Sequence, residues 1–200
     1  MITKIKKKKM IMIESTDYIE NKFSIPLGFI SLFNKIRRFI IINKCPLEVV
    51  KSAVKCDGEL SIIPKEHSYG EWAVDRHREK DGLNGKRMKE IHIDTDKRKL
   101  ILANNVGINK LYYIDEGKLG ITGNHCYYIL GENLELIQKI LKFKLVYYIQ
   151  ELTKYRQNFF DREAFNYIPD LRKMGIDDIE EIEFYEMLGL KDTEINILFS

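Results

Sequence analysis

Two aromatic, alternating segments, KLYYID (110–115) and HCYYIL (125–130), lie close together in the chain. The stretch between them carries Gly117, Gly120 and Gly123 at a spacing of three. Period-two alternation marks half-buried strands, so these glycines must let the backbone turn sharply between two sheet elements. Asp115-Glu116-Gly117 has the composition of a tight turn in which the glycine takes positive φ. Gly120 and Gly123 lack a Cβ and permit a bend or a close approach of another strand. The simplest structure of this kind is a hairpin with a bulge.

Further strands are expected at 59–63 (ELSII), 89–94 (KEIHID) and 99–104 (KLILAN). The polar, glycine-punctuated run 64–88 between the first two reads as a long loop, a feature that is more often functional or disordered than neutral. PLGFISLFNKIRRFIIIN, from Pro26, reads as a helix with Phe29, Leu32, Phe33, Ile36 and Ile40 on one apolar stripe, stopped at Cys45-Pro46. A second stripe, Leu134, Ile137, Leu141, Leu145, Tyr148 and Leu152, predicts one long helix of about five turns. A short helix over DREAFNYIPDL and two acidic helices, 177–188 and 192–198, follow. Gly189 separates the last two, and Asp192 is placed to cap the second. The class is α+β: a small twisted antiparallel sheet or partial barrel over about 47–130, flanked by an N-terminal helix and C-terminal helices.

The 200 residues suit one domain, here 23–200, after a basic and weakly ordered segment, 1–22, that contains KIKKKK. Residues 170–200 hold nine acids and three bases, net −6, against +3 for the whole chain, so the body 1–169 is +9. A basic body with an acidic end suits a polyanionic partner. Cys45, Cys56 and Cys126 are odd in number and show no CxxC spacing, which reads as reduced thiols in a cytoplasmic compartment. The start lacks the pattern of a signal peptide, and no run of 18 apolar residues predicts a membrane span.

Catalytic signatures are sparse. GKLGITG has no phosphate-loop form and sits between strands rather than before a helix. His67, His77, His92 and His125 are scattered, and adjacent His125 and Cys126 would face opposite sides of a strand. Asp57, Glu59 and Lys65 are the residues that a small magnesium-dependent nuclease would have to use. Their loose spacing is common by chance.

From 99 to 200 the order of elements resembles the C-terminal target-recognition region of N6-adenine DNA methyltransferases of the TaqI-like kind and of related type II restriction-modification enzymes. The resemblance is carried by KLILANNVGINKLYYIDEGKLGITGNHCYYIL, then LELIQKILKFKLVYYI, then YIPDL, then FYEMLGLKDTEI. It covers about half the chain and extends loosely back to FISLFNKIRRFI. Gly123 stands where the family pattern has glutamine, and Asn109-Lys110 replaces a lysine-proline pair, so the DNA site does not carry over.

The methyl-transfer domain of such enzymes has an Asn/Asp-Pro-Pro-aromatic motif. The four prolines here, in SIPLG, KCPLE, IIPKE and YIPDL, do not form it. The resemblance therefore implies a stand-alone, split or truncated recognition module. It would bind double-stranded DNA, hold no cofactor of its own, and leave S-adenosylmethionine to a separate methyltransferase or nuclease subunit. Phosphate-contacting candidates are Lys65, Arg76, Arg78, Lys80, Lys86 and Arg87. Candidate base readers are Asn84, Asn104, Asn105, Arg156, Gln157 and Asn158. Trp72 reads as a packing residue before a base stack. The acidic C-terminal helices would face away from DNA, toward that partner. The competing readings are the small nuclease, a protein-interaction domain and a remnant without activity.

Overall fold

The computed structural model describes residues 29–51, 53–78, 82–103, 112–123, 125–156, 159–160 and 162–199. The basic segment 1–22 and the expected helix start at Pro26 lie outside them. The protein is α+β, built from two small sheets and a layer of helices; the sheets do not close into a barrel.

The central element is β4 (Arg98–Ala103), flanked antiparallel by β5 (Tyr112–Glu116) and β7 (Cys126–Leu130). The run KLILA is apolar at every position after Lys99, which a strand needs when both its faces are covered. Leu100 and Leu102, with Tyr127 and Ile129, face the helices. Ile101 and Ala103, with Cys126 and Tyr128, face the second sheet. That sheet has the order β1 (Cys56–Ile62), β3 (Gly82–Met88), β2 (Trp72–Arg78), β6 (Gly120–Ile121). All its pairings are antiparallel except β2 with β6. Trp72, Val74, Leu119, Ile121 and Ile63 complete the core between the sheets.

The glycine-rich stretch thus does not form a β5–β7 hairpin. Both strands border β4, and the chain between them crosses to the other sheet as β6. Gly117 takes φ +86 in the expected tight turn, and a Cβ there would stand 2.4 Å from the Asp96 carbonyl oxygen. At Gly120 a Cβ would meet Met88 Sδ at 2.5 Å; at Gly123 it would meet Ala53 Cβ at 2.5 Å. The spacing of three serves a crossover threaded between close neighbours.

Three further expectations are corrected. Residues 64–88 are not a loop, because they contain the hairpin β2–β3. Residues 89–94 are not a strand, because Thr95 N–H donates to the His92 carbonyl (2.9 Å) and the chain turns, leaving Ile91 and Ile93 exposed. The long helix is two helices, α2 (Leu134–Ile140) and α3 (Lys144–Leu152), with Phe143 extended between them. No proline or glycine marks that break. The freed donors are satisfied from α4 (Glu181–Met187): the Glu181 carboxylate accepts the Lys144 N–H, and the Tyr185 hydroxyl accepts the Leu145 N–H at 3.2 Å. Burial pushes the Tyr185 phenol well above its usual range.

The remaining helices match more closely. α1 (Ile30–Asn43) buries Leu32, Phe33, Ile36 and Ile40 and ends at Lys44 in the left-handed conformation. Residues 162–167 form a 3-10 turn before Pro169. α5 (Asp192–Phe199) follows Gly189, which has φ +69. Asp192 is its first helical residue rather than its cap. The capping bond comes from Glu194, which accepts the Lys191 N–H at 2.8 Å.

One ion pair lies inside this frame. Lys99 and Asp115 are each 2% exposed, with Nζ 2.8 Å from Oδ2. The ammonium also donates to the carbonyls of Asp94 (2.9 Å), Thr95 (3.1 Å) and Lys97 (2.9 Å). The carboxylate accepts the N–H groups of Lys118 and Leu119 at 3.1 Å. Every polar group is partnered, which is the condition for a buried pair to be tolerated. Nearby, Asp94 accepts from the Tyr128 hydroxyl (2.6 Å) and from Lys97 (2.7 Å). Burial works against its charge, but these bonds and the cations beside it outweigh that cost and hold its carboxyl below the usual range.

Lys99→Met leaves Asp115 buried without its counter-charge, and urea unfolding should show a loss of about 3–5 kcal/mol. Because the folded-state pKa of Asp94 is depressed, its contribution is present above the ordinary carboxylate value near 3.9 and is lost as pH falls through the folded-state value. A series of acid melts should therefore show Asp94→Asn to be less stable than the parent at neutral pH, with a shallower decline in acid.

Candidate nucleic-acid interface

Most of the basic candidates fall on the β2–β3 hairpin, and its geometry sorts them. Trp72 pairs with Arg87, Ala73 with Lys86 and Val74 with Gly85. An irregularity then inserts Asp75, so that Arg76 pairs with Asn84 and Arg78 with Gly82. An extra residue of this kind flips the alternation. Arg76 therefore lies on the face opposite Val74, although the two are only two residues apart. Gly82, at φ +74, begins β3 where a side chain would be strained.

The inserted Asp75 is 5% exposed. Its carboxylate accepts from the Thr122 hydroxyl (2.6 Å) and from Arg76 Nε (3.2 Å), and its carbonyl accepts from Cys126 Sγ at 3.0 Å. It locks the hairpin to the chain after β6 and to the start of β7. Arg76 is anchored through Nε, while its side chain stays 43% exposed. Such an arginine is held in place yet still presents donors outward. Asn84 is 6% exposed and donates to the Gly82 carbonyl at 3.1 Å, so its amide is used in holding the turn.

The other candidates on these strands are differently placed. Arg87 lies 4.7 Å above the Trp72 ring and pairs with Glu71. Glu71 also accepts the Ser68 N–H (3.0 Å), and that bond is the main cause holding its carboxyl below the usual range. Trp72 is a core residue, 5% exposed, with its indole N–H buried and unpartnered. Lys86 is on the opposite face from Arg87. Lys65 is exposed, just beyond the end of β1. Along the outer margin, Lys89 pairs with Asp57 (3.3 Å) and Lys55 with Glu90 (3.3 Å), so this stretch is charge-balanced.

Connectivity gathers several candidates at one end of the molecule. The Arg76–Gly82 end of the hairpin reaches past Thr122 toward Cys126. Cys126 pairs with Ala103, the residue before Asn104 and Asn105. On the far side of the central sheet, Tyr112 opposes Leu102, and its hydroxyl accepts from Gln150 of α3 at 3.4 Å. α3 then leads through Thr153 into β8 (Lys154–Arg156), which pairs with β9 (Phe159–Phe160). Arg76, Arg78 and the chain entering Asn104 therefore lie toward that end, while Arg156 is in β8, the strand that follows α3. Lys80, Asn104, Asn105, Gln157 and Asn158 lie outside the described residues. The acidic helix α4 packs in the helical layer, across the central sheet from the hairpin.

Of the residues expected of a nuclease, Asp57 and Glu59 both lie on β1. Asp57 is held by Lys89 at one end of β1, and Lys65 follows the other end. Among the described residues, no group of three or more His, Cys, Asp or Glu side chains could hold a metal ion. No described helix is long and apolar enough to cross a membrane. Asp75, which with His77 and Glu79 reads from sequence as part of a solvated loop, is instead buried in β2 and fixes Arg76, while Glu71, which carries no sequence expectation, fixes Arg87. Their signal was an acid immediately before an arginine and one immediately before a tryptophan, inside a run that reads as loop.

Compared with protein-family models, curated proteins and solved structures, the chain has no match.

Burial raises all three thiols, most of all Cys126, which the Asp75 charge pushes further beyond the usual range. Cys45 and Cys126 are fully enclosed, and Cys56 is partly exposed. A disulfide-exchange reagent at pH 8 should label Cys56 alone in the native protein and all three in urea. Rapid native labelling of Cys126 would contradict the packing of the hairpin against β7.

Proposed function

We propose that this chain is a sequence-specific double-stranded DNA-binding module of the target-recognition kind, working in the cytoplasm beside a separate methyltransferase or nuclease subunit. The observation that carries the reading is the hairpin itself: Asp75 ties it to Thr122 and Cys126 and holds Arg76 with its side chain 43% exposed, close to where β4 ends before Asn104. The sequence adds amide side chains in the connections after β4 and β8, at Asn104, Asn105, Gln157 and Asn158. That combination suits phosphate anchoring by the hairpin and base-edge reading by the connections. The resemblance over 99–200 supports the same assignment. Arg87, packed on Trp72 and paired with Glu71, serves the hairpin's structure in this reading. The acidic helix α4, in the opposite layer, is kept away from the DNA and is free to meet the partner subunit.

The test is duplex binding by the purified chain over a salt series, with selection from a random-sequence pool. Affinity should fall steeply with salt, and a short motif should be enriched. Arg78→Glu should weaken binding more than about tenfold and lower the salt slope by about one while the melting temperature is held, whereas Arg76→Glu, which also breaks the Asp75 pair, should lower both affinity and stability. Arg87→Glu should instead lower stability. No duplex affinity at low salt would overturn the DNA reading in favour of a protein-interaction domain or an inactive remnant.

A further inference from the structure

A small cavity lies between the two sheets, beside the Lys99 ammonium. Its polar wall is the turn carrying His92, Asp94 and Thr95, together with Tyr128 of β7. Its apolar wall is Val54, Leu119 and Ile121, on the side of the second sheet. About 10 Å³ is open to the centre of a water molecule. One buried water needs about 10–15 Å³ by that measure and two to four polar partners. Any larger ligand is excluded by size.

The polar wall has hydrogen-bonding capacity to spare. Thr95 is 1% exposed. Its hydroxyl oxygen accepts the His92 N–H at 3.1 Å, but its hydroxyl hydrogen meets no acceptor among the described residues. A buried donor left unmade is costly. Asp94 supplies the matching acceptor. Its carboxylate takes the Tyr128 hydroxyl at 2.6 Å and Lys97 Nζ at 2.7 Å. These are two of the roughly four lone-pair sites that an ionised carboxylate offers. Lys99 has no donor to give, because its ammonium is already shared among the carbonyls of Asp94, Thr95 and Lys97 and the Asp115 carboxylate. Nor does the cavity call for a cation, since Asp94 faces Lys97 and Asp115 faces Lys99.

We infer that this cavity is a binding site for one ordered water, which accepts from the Thr95 hydroxyl and donates to the Asp94 carboxylate. Tyr128 Oη is its third polar neighbour. Asp94 and Thr95 each give a carbonyl to Lys99, so the water braces the turn that encloses the ammonium. On its other side it fills the gap toward Ile121, the register partner of Val74 in β2. The water is thus a third component of the joint between the sheets, beside the ion pair and the apolar contacts. This inference stands apart from the DNA reading, and duplex binding, present or absent, does not bear on it.

Magnetic relaxation dispersion of water in solutions of the full chain counts the long-lived internal waters. Thr95→Val keeps the side-chain shape and removes the donor, so the count should fall by one; Thr95→Ser, which keeps the hydroxyl, should restore it. Loss of packing alone would not distinguish these two variants in that way. Val54→Ile adds a methylene to the apolar wall, away from every hydrogen bond named above. It should displace the water, lowering the count by one and the melting temperature with it. In a crystal structure of the parent, one water oxygen should stand within hydrogen-bond distance of both Thr95 Oγ1 and the Asp94 carboxylate. A count unchanged in Thr95→Val and Val54→Ile overturns the inference. So does a melting temperature raised by Val54→Ile, the mark of a dry void being filled.

Discussion

The interaction on which the rest of the molecule depends is the buried pair of Lys99 and Asp115. Burying two charges is costly, and it is tolerated here because each finds a full set of partners. Those partners define the architecture. The carbonyls around the ammonium come from the turn that enters β4, and the N–H groups around the carboxylate come from the turn that leaves β5. A single pair therefore fixes where β4 begins, where β5 ends, and where the chain departs for the second sheet. Arg172 acts similarly at the end of β7 beside that pair, where Leu130 is the register partner of Lys99. It grips Asp170 with two bonds of 2.8 Å and donates to the Glu132 carbonyl at 2.8 Å.

With β4 enclosed on both faces, the second sheet has one side committed to the core and one hairpin end left over. The bulge at Asp75 makes that end usable. It buries an acid, turns Arg76 outward and ties the hairpin to β7 through a thiol and a hydroxyl. Placing the cations on paired strands costs little ordering entropy on binding, compared with placing them on a loop.

How much of this could be read from residues alone varied with the kind of signal. α1, β4, β5 and β7 follow from apolar periodicity, and Gly117 and Gly189 mark turns at positive φ as their neighbours suggest. The hairpin β2–β3 was hidden because WAVDRHR and GLNGKRM do not alternate. One contains a bulge and the other two glycines, of which Gly85 packs against the Ala73 backbone, so burial there follows from tertiary contact rather than local pattern. KEIHID alternates well but is not a strand, because the chain turns between His92 and Thr95 and its last carbonyl, that of Asp94, accepts from Lys99. The stripe from Leu134 to Leu152 continues unbroken through a real break, because both helices bury the same face. Of the site, the residue types were legible, whereas the anchoring role of the acids was not: Asp75 is buried by an irregularity that no alternation marks, and Glu71 lies sixteen residues from Arg87. The cavity beside Lys99 gave no local signal, because its walls come from segments distant in the chain.

The break between α2 and α3 bears on the order of assembly. The first N–H groups of α3 are completed by Glu181 and Tyr185, about forty residues further along. Until that part of the chain has left the ribosome, the start of α3 has no acceptors and its neighbour Phe143 lacks the Phe184 ring, 5.4 Å away in the finished protein. The two larger sheets draw on residues made before that point, whereas the start of α3 is completed only once Glu181, Phe184 and Tyr185 are available.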